Sequence, residues 1–192
     1  MADVETTAGN RRRNPFGAFV RDRQGATAVE FALIATPFLA IIAALIQTFL
    51  LFFAQSQLEL AVRQSARQIL TGQVQSLDAS LTQAQAQTAF HQTVCNNGSM
   101  LFNCAGLMVD VQVANNWSSA NVGMPTLTYN AGGAVTNTWQ FKPGTAGDIV
   151  VVRVMYLWPV FFGPIAFNMA NQPNGTRLIM ASAAFQNEPA NP

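Results

Sequence analysis

The chain is short of charged side chains. Asp, Glu, Lys and Arg make up 10% of its 192 residues, whereas about 25% is usual for a soluble domain. Ten bases against nine acids give a net charge of +1. Nucleic-acid binding normally requires a strongly basic surface. We therefore expect no nucleic-acid partner. We also expect that charge repulsion is not what keeps the chain from aggregating.

Groups that could carry out catalysis are also few. The chain has one His and two Cys, and its nine carboxylates are scattered. A zinc site needs three or four ligands, so we expect His91 to be a surface or capping residue. These counts predict that the protein has no catalytic residues, no metal and no cofactor, and that it is not an enzyme.

What the sequence does contain is one long apolar run. No charged side chain lies between Glu30 and Glu59, and Phe31–Phe53 is almost wholly apolar. As a helix, this stretch would be about 35 Å long, enough to cross a hydrocarbon core of about 30 Å. A buried core helix rarely runs so far without charge. A cleaved secretory signal has a shorter apolar region and a small-residue cleavage site. A membrane span is therefore predicted.

Basic residues lie on one side of this run. Residues 11–23 hold five Arg, so the positive-inside rule predicts a cytoplasmic N-terminus. Three segments follow: a cytoplasmic basic leader (1–25), a transmembrane helix (26–58) and an α+β domain outside the cytoplasm (59–192).

The apolar helix is expected to continue as an amphipathic stem. Leu58, Ala61, Val62, Ser65, Ala66, Ile69 and Leu70 follow helical spacing. Gly72 is suited to end a helix. One helix from about Thr27 to Thr71 is predicted, with one side of its second half packed on a domain.

The junction between the leader and the apolar run has an unusual carboxylate. Glu30 lies five residues after Gly25, at the edge of the predicted hydrocarbon. An acid at headgroup depth in a first helical turn would be favoured by the positive helix end. Alternatively, cleavage after Gly25 would create an amine on Ala26 that pairs with Glu30. Both interpretations are open at this point.

The stretch Gly25-Ala26-Thr27-Ala28-Val29-Glu30-Phe31 resembles the processing site of type IV-like prepilins, in particular those of the tight-adherence (Tad/Flp) system. The stem at 57–75, the cysteine pair, and the segments 147–159 and 177–189 resemble the larger TadE-like pseudopilins. The resemblance implies cleavage after Gly25 by a prepilin peptidase. It also implies roles in processing and subunit packing for Glu30 and Phe31.

That resemblance further implies a function and a location. The chain would be a minor pilin or pseudopilin, single-pass in the inner membrane with a periplasmic C-terminal domain, and an extracellular pilus is its second expected location. It would act in pilus assembly, priming and surface attachment, including biofilm formation, with other pilins and Tad assembly proteins as partners. The alternative is a membrane-anchored periplasmic scaffold subunit of the secretion machine that never enters the filament.

Cys95 and Cys104 have a spacing that fits neither a redox C-x-x-C nor a zinc knuckle. Because the predicted topology places both outside the cytosol, a disulfide is expected. The alternative is two free buried thiols.

The rest of the chain predicts a second helix around 79–95 and three strands. Alternating residues at 107–113, the apolar run 148–158 and residues 177–186 indicate the strands. Residues 115–147 are rich in Asn, Gly, Thr and Pro and are expected to form loops, with a short strand near 139–141. The fold class predicted is α+β, a small antiparallel sheet packed on the long helix in a pilin-like architecture.

Overall fold

The computed structural model describes residues 24–78, 81–98, 101–161 and 168–189. Of the predicted basic leader (1–25), residues 1–23 lie outside the described residues. The chain divides after Ile42 into two compact units. The first is described here from Gln24 and is called the apolar unit. The second begins at Ala43 and is called the globular unit.

The first helix, α1, runs from Gln24 to Leu70, a length of 47 residues. It ends where the sequence predicts. Gly72 adopts φ +75°, and its N–H donates to the carbonyl of Ile69 at 3.0 Å. Glycine tolerates this left-handed conformation, which turns the chain out of the helix. Pro37 lies inside α1, as helices in bilayers tolerate.

Two helices follow instead of the one predicted at 79–95. A short α2 spans Gln73–Asp78 and α3 spans Gln83–Gly98. Thr82 sets the start of α3, because its N–H donates to Gln85 Oε1 while its hydroxyl accepts from the Gln85 N–H. This reciprocal pair is a capping box. The sequence places the helix a few residues too early because that cap was not recognised.

The three predicted strands are present within one residue of their expected ends. They are β1 (Leu107–Ala114), β2 (Ile149–Pro159) and β3 (Thr176–Gln186). They form one antiparallel sheet in the order β1-β2-β3, with Val109 opposite Val154 and Val152 opposite Ala183. The strand expected near 139–141 is reduced to an isolated bridge between Phe141 and Val111.

One face of the sheet packs against α1 and α3 in a single core. Alternate residues of each strand enter it, as period-two patterns require. From the helices it contains Leu51, Ala54, Leu58, Val62, Ile69, Phe90 and Val94, and from the strands it contains Val109, Val111, Val152, Val154, Ile179 and Ala181. The predicted α+β class, with a long helix, further helices and a small antiparallel sheet, is confirmed.

The opposite face of the sheet is covered by the loop that links β1 to β2. Met108, Met155 and Leu178 from the strands form a second cluster with Leu127, Val135 and Trp139 of that loop. Arg153 holds the loop in place, because its Nη1 donates to the carbonyl of Gly123 at 3.3 Å. The same guanidinium pairs with buried Asp110, at 2.5 Å between Nη2 and Oδ2.

Candidate processing and packing segment of the first helix

Gly25 lies in the first turn of α1, exposed to solvent. A Cβ placed on it would meet no atom within 4 Å, and its φ is not positive. The described fold therefore gives no steric reason for glycine here. Glycine in a helix costs roughly 0.5–1 kcal/mol relative to alanine, so this turn is easier to unwind. An exposed, easily extended peptide bond between Gly25 and Ala26 is the form that a peptidase requires.

Glu30 lies one helical turn beyond Ala26, and both side chains are exposed. Four residues of helix separate the two backbone positions by about 6 Å along the axis. Among the residues that the structure describes, Glu30 forms no ion pair. Its carboxylate is therefore accessible to a cation, whether an amine at Ala26 of the same chain or of a neighbouring one. Both interpretations of Glu30 remain compatible with this geometry.

Phe31 begins an apolar surface that the described protein leaves uncovered. Its side chain is 73% exposed. Exposure of 60% or more is shared by the large apolar residues Val29, Leu33, Ile34, Phe38, Leu39 and Ile41. The helical span Gly25–Leu70 contains a window of mean hydropathy 2.4 with none of it buried. By length and composition this helix could cross a membrane.

The face of α1 that packs against the sheet, here called the packed stripe, begins earlier than the sequence predicts. Gln47, Leu51 and Ala54 are buried, as are the predicted stem residues Leu58 and Ile69. Gln55 strengthens the docking, because its Nε2 donates to the carbonyl of Met180 on β3 at 2.9 Å. The intervals of three and four residues between buried positions are those of a single helix face. Sequence reasoning missed this start because the neighbouring residues are apolar too.

Cys95, near the end of α3, and Cys104, in the turn before β1, are joined as a disulfide, with their Cα atoms 5.4 Å apart. His91, one turn earlier on α3, lies 3.1 Å from the carbonyl of Leu107 through its Nε2. Both contacts tie α3 to the beginning of β1. In the described part of the chain, no group of three or more His, Cys, Asp and Glu is arranged to hold a metal.

These features define a chain whose long apolar helix could cross a membrane and whose globular unit is a small α+β domain. A family model described as TadE-like protein matches residues 25–67, which is almost the whole of α1. The predicted resemblance to TadE-like proteins is thereby confirmed over residues 25–67. No curated protein and no solved structure matches the chain.

Proposed function

We propose that this protein is a minor pilin or pseudopilin of a tight-adherence pilus, cleaved after Gly25 by a prepilin peptidase. The observation that carries the proposal is the exposed apolar start of α1. It bears Gly25 and Glu30 at its tip and continues into a stem packed on a small sheet. A helix of this kind can be stored in a membrane and later buried among the helices of other subunits.

The proposed topology follows from charge. The basic residues at 11–23 hold the leader in the cytoplasm, α1 crosses the inner membrane, and the globular unit folds in the periplasm. An oxidising compartment also suits the Cys95–Cys104 disulfide.

The proposed role is structural rather than enzymatic. Residues 59–192 contain five acids, five bases and one His. Asp110 and Arg153 neutralise each other, and His91 contacts a backbone carbonyl. Two of the few groups that could perform acid–base chemistry, Asp110 and His91, are therefore occupied in holding the fold. Assembly, priming and surface attachment, with other pilins and Tad assembly proteins as partners, are the functions that this architecture serves.

Cleavage is the first step to test. Hydrolysis of the Gly25–Ala26 bond would leave the carboxylate on Gly25 and a new amine on Ala26. We expect N-terminal sequencing of the membrane-extracted protein to begin at Ala26 in cells with active peptidase, and at the original N-terminus in cells with an inactivated one. Gly25→Leu should block cleavage, because its side chain hinders approach to the peptide bond.

Gly132→Leu is the matched control, since Gly132 is another exposed glycine without a positive φ, and its missing Cβ would approach only Asn130 Oδ1, at 3.4 Å, but it lies in a loop far along the chain. It should be cleaved normally. An uncut wild-type chain beside a fully processed major pilin in the same cells would refute the proposal. The alternative scaffold function predicts cleavage too and differs in where the mature chain is found.

A further inference from the structure

We propose that the sheet edge formed by the last residues of β2 and the first residues of β3 dips shallowly into the periplasmic face of the inner-membrane bilayer, giving the globular unit a second membrane contact beside α1. The contact residues are Phe161 together with Phe49, Phe52 and Phe53 of α1, here called the phenylalanine rim. This inference rests on the proposed membrane anchoring by α1, and it names a lipid surface as the partner of the rim.

Three contacts along α1 fix which end of the sheet faces which end of the stem. The Glu188 N–H donates to the carbonyl of Leu70, and Gln55 Nε2 donates to the carbonyl of Met180. The Thr48 hydroxyl lies 3.7 Å from the sulfur of Met169. The chain leaving β3 therefore lies at the C-terminal end of α1, whereas the chain entering β3 lies level with Thr48.

Phe161 lies at that same level. Met180 pairs with Met155, and Pro159 ends β2 four residues later, about 13 Å along a strand. On α1, seven residues back from Gln55 to Thr48 cover about 10 Å. Pro159 is therefore level with the start of the packed stripe, and Phe161 follows two residues later with its side chain 62% exposed.

The periplasmic boundary of the inner membrane falls at this level as well. If Glu30 lies at the cytoplasmic headgroups, a span of about 20 residues ends near residue 50. Phe49 and Phe52 lie there, 66% and 67% exposed. Phe49 and Phe53 stack with their ring centroids 6.1 Å apart, which leaves much of an aromatic surface facing away from the protein.

The charge pattern favours lipid over water at this end. No charged side chain occurs between Arg153 and Arg177. Arg177 donates through Nη1 to the carbonyl of Met169 at 2.9 Å, so the first cation after this stretch sits beside the rim. Arginine keeps its charged head in water while its stem lies along apolar surface, and phenylalanine is among the residues that interfacial segments bury at the boundary between headgroups and acyl chains. Lipid therefore fits the rim better than an acidic or strongly charged partner would.

Spin labelling of the full chain in vesicles of phosphatidylethanolamine and phosphatidylglycerol tests this inference. The native cysteines are bonded to each other, so a nitroxide on Phe161→Cys reports one site. Its relative accessibility to oxygen and to a nickel chelate measures depth. We expect a ratio of the two that lies between those of two control labels, Leu39→Cys in the apolar unit and Met124→Cys in the loop beside Gly123.

Each control label distinguishes a different way in which the inference could be wrong. A lipid-like value at Leu39 with equal, water-like values at Phe161 and Met124 would overturn the inference and leave membrane anchoring intact. A water-like value at Leu39 would refute the anchoring itself. Dipolar broadening at Phe161 that disappears on dilution with unlabelled protein would mean that a second copy covers the rim, which also overturns the inference.

Discussion

At the scale of single residues, Glu30 is placed to act between chains or at a helix end. Its exposed carboxylate lies one turn from Ala26, and burying it in hydrocarbon without a cation would cost about 2.5–3.5 kcal/mol on insertion scales. An amine created by cleavage would supply that cation during packing among other helices.

Glu30→Gln separates the two interpretations. If Glu30 pairs with a neighbouring subunit's amine, this variant should be expressed and cleaved as the wild type, but its yield in co-purification with partner pilins should fall. Glu59→Gln, which removes the other carboxylate of α1, is the control and should co-purify normally. Normal co-purification and piliation with Glu30→Gln would leave only the helix-end role.

Asp110 and Arg153 form the strongest electrostatic contact in the described residues. Asp110 is 1% exposed and Arg153 is 7% exposed. The carboxylate also accepts the backbone N–H of Gln140 at 2.9 Å. The pair therefore holds the loop over the outer face of the sheet as well as holding two strands together.

Asp110→Ala should lower the free energy of unfolding by about 3–5 kcal/mol, because it leaves a buried guanidinium without a counter-charge. Guanidinium chloride unfolding in detergent micelles measures this. Glu59→Ala breaks an exposed i, i+4 pair with Arg63 at 3.6 Å and should cost no more than about 0.5 kcal/mol. Equal losses in the two variants would mean that the buried pair does not anchor the loop.

At the scale of elements, α1 has two kinds of surface in its second half. Leu58 is fully buried against the sheet, whereas Leu60, two residues on, is 46% exposed. The side chain at residue 58 contributes to the core, and the one at residue 60 is available to other subunits.

Truncating these two leucines should therefore have unlike effects. Leu58→Ala should reduce the free energy of unfolding by about 2–5 kcal/mol through lost burial and a residual cavity. Leu60→Ala should change it by about 0.5 kcal/mol or less, as is usual at exposed positions. Thermal unfolding followed by circular dichroism compares them. A larger loss for Leu60→Ala would contradict the stem packing described here.

The elements that the sequence predicts well are those with strong local signals. The end of α1 follows from Gly72, and the strands follow from alternation around Val109 and the apolar run at 150–152. By contrast, the residues of α2 show no helical spacing of apolar side chains, so the sequence does not predict this helix. The buried face of α3 is formed by Ala86, Phe90 and Val94, a spacing that is hard to recognise among the many Gln, Ala and Thr residues of this stretch.

Long-range partners were not predictable from the sequence. Asp110 and Arg153 are 43 residues apart, and nothing local couples them. The start of the packed stripe at Gln47 was hidden because α1 is apolar on every side there. For the candidate site the opposite holds, because Gly25, Glu30 and Phe31 form a short contiguous motif that needs no tertiary contact to be recognised.

At the scale of the whole molecule, the two units suit successive needs of the pilus subunit that we propose. Under that proposal, the apolar unit provides membrane storage and later helix packing, and the globular unit provides a folded domain outside the membrane. The proposed minor pilin and the alternative scaffold subunit share every one of these features. They differ only in whether the mature chain leaves the membrane.

Fractionation of piliated cells tests the central claim most directly. With an antibody to residues 105–189, the account predicts a chain beginning at Ala26 in the sheared pilus fraction, absent from that fraction in cells carrying Gly25→Leu. A mature chain found wholly in membranes, while the major pilin is abundant in the sheared fraction, would contradict the minor pilin assignment.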